Sequence, residues 1–241
     1  MTLMTSLVFV ALTLVVGGQG AVDMEAVLRP AMGPYYAALA ASNHGDIDGT
    51  QRQLLLFQAR WEKASKLARS SVPDVLRNDP AWGEALDFAA SALGRARAAL
   101  RAGDTGGAHA ELESIRLRLR EVRASHNMES IDDRLWDFHG AMERLISRIS
   151  ARNEIVLTAA DWESIGPQLE AAKTALKLVD GAAWPALRQS APWAGAFKVV
   201  QTSLGELDTA VAGRDGFSAS KVAGRLHDRY YDLLLALAKI G

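Results

Sequence analysis

The chain aligns with itself. Shifted by 111 residues, its halves match without a gap over their best-matched stretch: Lys66-Leu67 falls on Lys177-Leu178, Leu76-Arg77 on Leu187-Arg188 and Trp82 on Trp193. Further on, Leu93-Gly94 falls on Leu204-Gly205, Asp104 on Asp215, Ala108 on Ala219 and Arg118 on Arg229. Paired identities at one fixed offset, a rare tryptophan among them, are hard to produce by chance and read as an internal duplication. Each unit then has roughly a hundred residues, a normal size for a small domain.

Both halves carry the same punctuation. In the first, helical periodicity predicts helices over about residues 24–42, 50–70, 81–101 and 108–126. They are separated by a polar loop at 44–49, a connection marked by Pro73 and Pro80, and a turn at 103–107. The second half repeats this to about residue 240, with Pro185 and Pro192 in its connection and a turn at 213–216. These prolines and the turn glycines fall between periodic segments, where helices stop. Within segments, Met128, Ile131, Leu135, Phe138, Met142, Leu145 and Ile149 advance by three or four residues and line one helix face. Arg116, Arg118 and Arg120 alternate with leucines, but glutamates among them favour a solvated helix with local ion pairs. The expected fold is all-α: two tandem antiparallel four-helix bundles related by duplication, over residues 21–127 and 128–241. Ser130 and Asp133 suit a helix start near the boundary at Asn127. Nothing between Arg120 and Ser150 forbids one long helix shared by both bundles, so that alternative stays open.

Residues 1–20 read as a cleavable signal peptide. Leu7 to Val16 is an apolar run too short to span a bilayer and suited to a signal core, and small residues precede a cut after Gly20. No Lys or Arg precedes it, so a retained anchor is the alternative. Export to a periplasm is the expectation, with no stable membrane insertion of the mature chain. Lys plus Arg number 27 against 28 for Asp plus Glu, which gives no global attraction to nucleic acid. With no cysteine, disulfides, thiolate catalysis, iron–sulfur ligation and covalent c-type haem are excluded.

The usual catalytic signatures are absent, and no enzyme is expected. The stretch Asp46-Ile47-Asp48-Gly49 lacks a calcium loop's spacing, with Phe57 where the bidentate carboxylate belongs, and reads as a capped turn. Bundles hold cofactors between facing helices, which turns attention to five histidines and six methionines. Met24 opens the first helix and His126 ends the fourth, at the same end of an up-down-up-down bundle. Together they suit the axial pair of a non-covalent haem.

The opening Ala21-Val22-Asp23-Met24-Glu25-Ala26-Val27-Leu28 and the stretch from Ala98 through Gly103-Asp104 and Glu111-Leu112 to Arg123-Ala124-Ser125-His126 carry a family likeness. They resemble the soluble periplasmic cytochrome b and cytochrome c′-like four-helix bundles, here in tandem. That resemblance implies haem b held by Met24 and His126. The second half opens similarly at Met128 but departs from the pattern: Leu237 stands at the offset of His126, and His227 lies nearly three turns earlier.

A second constellation joins His139, Met142 and Glu143 on one helix face, with His126 and Met128 shortly before. Met with His suits copper, and His with Glu suits iron or zinc. The competing reading makes Met142 core, with His139 and Glu143 on its flank. His227, near Tyr230 and Tyr231, reads as a partly buried, hydrogen-bonded histidine. Trp82 and Trp193 read as packing anchors. The expected function is haem, copper or iron binding for electron transfer, carriage or sensing. A cofactor-free module that docks on an envelope protein is the alternative.

Overall fold

The structure, a computed structural model, describes residues 19–150 and 157–239, with side chains from residue 26 onward. The expected signal peptide, residues 1–20, lies outside them except for the backbone of its last two positions, and so does the side chain of Met24. Among the described residues the chain is all-α, with no strand. Its helices are α1 Gln19–Asn43, α2 Ile47–Ser70, α3 Pro80–Arg101, α4 Thr105–Ser125, α5 Ile131–Ser150, α6 Ala159–Ala182, the short α7 Pro185–Gln189, α8 Ala191–Ala212 and α9 Gly216–Ala238. A 3-10 turn at Asp74–Leu76 precedes α3. No described helix is long and apolar enough to cross a membrane.

Helix ends follow from residue chemistry. The Asp46, Asp104 and Asp215 side chains accept from backbone N–H groups three residues on, at 2.8, 2.7 and 3.0 Å, which satisfies donors that a helix start leaves open. The stretch at Asp46 is therefore the capped turn expected of it. Four of the described helices stop through a residue in the left-handed region: Gly45 at φ 71°, Gly103 at φ 76°, Arg214 at φ 52° and Asn127 at φ 53°. At Asn127 the next N–H, from Met128, returns to the Arg123 carbonyl at 2.9 Å. One long shared helix is thereby ruled out, and α5 starts afresh with the Ser130 hydroxyl accepting from the Asp133 N–H at 3.2 Å.

Proline inside a helix removes a donor. Pro30 and Pro34 both lie within α1. Pro34 has no N–H for the Pro30 carbonyl, and Arg60 of α2 donates to that carbonyl instead, at 3.1 Å.

Packing closes two rings. Helix α1 packs on α2 and α4, α2 on α3 and α3 on α4; α5 packs on α6 and α9, α6 on α8 and α8 on α9. Residues 111 apart take like places in the two rings. Trp82 and Trp193 are buried near the starts of α3 and α8, and Leu76 and Leu187 are buried in the connections. The expected α5 stripe is observed, from Met128 at 8% exposure to Met142 and Leu145 at 0%.

The rings meet along a polar seam where α1 packs on α9. Here the expectation of a solvated arginine face on α4 is corrected. Arg118 does pair locally with Glu121, and also with Glu84 of α3. Arg116, however, is 3% exposed and donates to the Tyr230 hydroxyl at 2.7 Å and to the Asp132 carbonyl at 2.9 Å. The Tyr36 hydroxyl donates to the Asp132 carboxylate at 2.8 Å, and Arg123 grips Asp133 with two bonds of 2.8 and 2.5 Å. Local pairing rules cannot see partners supplied by helices far along the chain.

Candidate metal centre

On one side of the seam, α5 and α9 face each other with three ligand-type side chains. His139 and Glu143 lie one turn apart on α5 and so share a face. Helix α9 brings His227 opposite them. The Nε2 atoms of His139 and His227 are 3.4 Å apart; Glu143 Oε1 is 3.1 Å from His227 Nε2 and 3.6 Å from His139 Nε2. Among the described residues this is the one group of three or more His, Asp or Glu whose ligand atoms converge within 4.8 Å.

Aromatic neighbours fix the rings. His139 stacks on Tyr230 with centroids 4.7 Å apart and planes 12° from parallel, and His227 stacks on Tyr231 at 5.3 Å and 27°. Tyr230 is itself held by Arg116. Burial pushes the Tyr230 phenol up to about 12, against the pull of Arg116, so it stays a neutral platform.

Electrostatics prepare the donors. Burial, aided by Arg116, His227 and His109 and opposed by Glu113, lowers the His139 pKa from 6.5 to about 4. Its imidazole is thus neutral at neutral pH, the form that binds metals. Glu143 Oε1 is shielded from solvent and makes no hydrogen bond, although both imidazole nitrogens lie near it. An acceptor cut off from water without a donor costs on the order of 1–3 kcal/mol, more when charged. A cation between the three atoms would relieve that cost.

Of the residues singled out in the sequence, the structure brings together His139 and Glu143, and adds His227. His126 lies elsewhere, at the C-cap of α4, with Nε2 2.6 Å from Asp79 Oδ2. The hydrogen bond from His126 and that from the Ala81 N–H hold the Asp79 carboxyl below its usual range. Met128 and Met142 are both buried in the hydrophobic core. The reading of His139 and Glu143 as flanks of a stripe that contains Met142 matches this arrangement. His227 was not counted among the candidate donors in the sequence. Its signal was an i, i+4 His–Glu pair on α5 lacking a third donor, but choosing the donor required knowing that α9 packs on α5.

The chain matches no protein-family model, no curated protein and no solved structure.

Proposed function

We propose that this chain is a metal-binding helical-bundle protein that holds a divalent transition ion, zinc foremost, on His139, Glu143 and His227. Convergence of these donors carries the reading. With metal–ligand bonds of about 2.0–2.1 Å, ligand atoms around a tetrahedral ion stand ~3.3 Å apart. The three donors are already spaced at 3.1, 3.4 and 3.6 Å. Two imidazoles and a carboxylate are borderline donors that suit zinc, copper(II) or iron(II), and this spacing favours the tetrahedral ion.

Side-chain exposures of 29% for His227 and 40% for Glu143 leave the fourth position open to water or to a ligand of the bound ion. Carriage or sensing of the ion fits that half-open setting. The apolar run at Leu7–Val16 supports export to the periplasm as part of the same proposal. A metal ion is preferred to haem because the Nε2 of His126 already faces a carboxylate.

Titration of the purified protein with zinc, against a chromophoric chelator, should give one equivalent bound and a higher melting temperature. His227→Ala should abolish this binding, and His126→Ala should leave it intact. A wild-type protein that binds no zinc, copper or iron sinks the proposal. A Soret band on adding haem that disappears in His126→Ala would establish the haem reading instead.

A further inference from the structure

A neutral imidazole that offers Nε2 to a metal carries its one proton on Nδ1, and that N–H needs an acceptor. In metal sites the acceptor is very often a carboxylate or a carbonyl, which fixes the ring's tautomer and raises its basicity. The metal reading of His139 therefore raises a question about its other nitrogen.

The Nδ1 of His139 faces α4 of the first ring, and Glu113 Oε1 lies 3.8 Å from it. The Glu113 carboxylate is itself held in place. His109, one turn earlier on α4, sets Nε2 3.6 Å from the same oxygen, and Ser42 at the end of α1 meets His109 Nδ1 at 2.9 Å. A shift of about 1 Å would bring His139 Nδ1 and Glu113 to hydrogen-bond distance, ~2.8 Å. Such a shift is within reach of two side chains that are 12% and 31% exposed.

We infer that Glu113 is the positioning carboxylate of His139, so that the metal centre on α5 and α9 is completed by α4 across the seam. This inference rests on the metal reading above. A cation on Nε2 draws electron density from the ring and makes Nδ1–H a stronger donor, so the bond to Glu113 tightens as the ion binds. Sequence positions at the 111-residue offset agree with a single centre. Leu28, Met32 and Arg116 stand where His139, Glu143 and His227 would have their counterparts, and Gly224 stands opposite Glu113 in register.

The test uses the full chain and zinc alone. Glu113→Gln should bind zinc 10- to 100-fold more weakly than wild type. The ligand-field spectrum of its cobalt(II) form should match wild type, because the ligands are the same three. In the zinc-loaded wild type a slowly exchanging ring N–H proton should resonate at low field. It should vanish in His139→Ala and move upfield in Glu113→Gln. Equal zinc affinity and an unshifted resonance in Glu113→Gln would overturn the inference and leave the metal site standing. Should that variant not fold, the wild-type resonance decides: zinc binding with no protected His139 N–H overturns it. A wild-type protein that binds no zinc fails at the earlier step, and the two failures are told apart.

Discussion

Three histidines and two glutamates share one short stretch of the seam, and their mutual effects set how the metal-free protein responds to acid. His139 is the clearest case, because its pKa falls from 6.5 to about 4 on folding, with burial as the main cause. The unfolded chain therefore takes up a proton near pH 6.5, while the folded chain resists it until about pH 4. The contribution of His139 to stability is present in full above pH 6.5 and is lost progressively as pH falls toward 4. Melting temperatures of the metal-free protein should decline across that window. His139→Gln, which has nothing to titrate there, should flatten the decline. An equal slope in both proteins would mean that the buried imidazole is not the responding group. Zinc should steepen the loss, since protons and metal compete for the same nitrogen.

Helices were legible in the sequence wherever one side chain sufficed to start or stop them. The aspartate and serine caps, the turns before Asp104 and Asp215, and the apolar stripe of α5 all follow from residue type and spacing. What could not be read was whatever one element supplies to another. Helix α1 is an example: the helix expected over 24–42 already spans Pro30 and Pro34, but what serves the carbonyl they leave open was not visible. Helix α1 continues because Arg60 of α2 serves the carbonyl that Pro34 leaves without a donor. Arg60→Ala should cost about 1 kcal/mol in denaturant unfolding, the size of one net hydrogen bond. Arg60→Lys should recover part of it. The arginines of α4 fall in the same class: Arg116 alternates with leucines as Arg118 does, yet one is buried and the other lies in local ion pairs. His227 escaped for this reason too, because its role depends on a helix pair far apart in the chain.

The seam gives the two rings a joint interior that is ionic as well as apolar. A buried pair with good geometry is weak evidence of net stabilisation, but removal of one member strands the other. Arg116→Ala would remove the guanidinium that stands 3.2 Å from the Asp132 carboxylate, itself 8% exposed, and leave that charge only the Tyr36 hydroxyl and Arg123 at 3.9 Å, which is already bound to Asp133. It should lower unfolding free energy by about 3–5 kcal/mol. It should also loosen Tyr230, the platform under His139, and so weaken zinc binding. Arg116→Met with Asp132→Asn should restore much of the stability. If the double variant is no more stable than Arg116→Ala, the seam's charges do not act as a matched set.

The unequal residues at matching positions have a consequence for anyone who would rebuild the molecule. A homodimer of the second half would keep His139, Glu143 and His227 in each copy but would set a glycine where Glu113 stands. A homodimer of the first half would keep Glu113 and have nothing for it to steady. Symmetry, usually the designer's shortest route to a stable assembly, would here part Glu113 from the three donors, and only the heterogeneous order of the natural chain keeps all four side chains together.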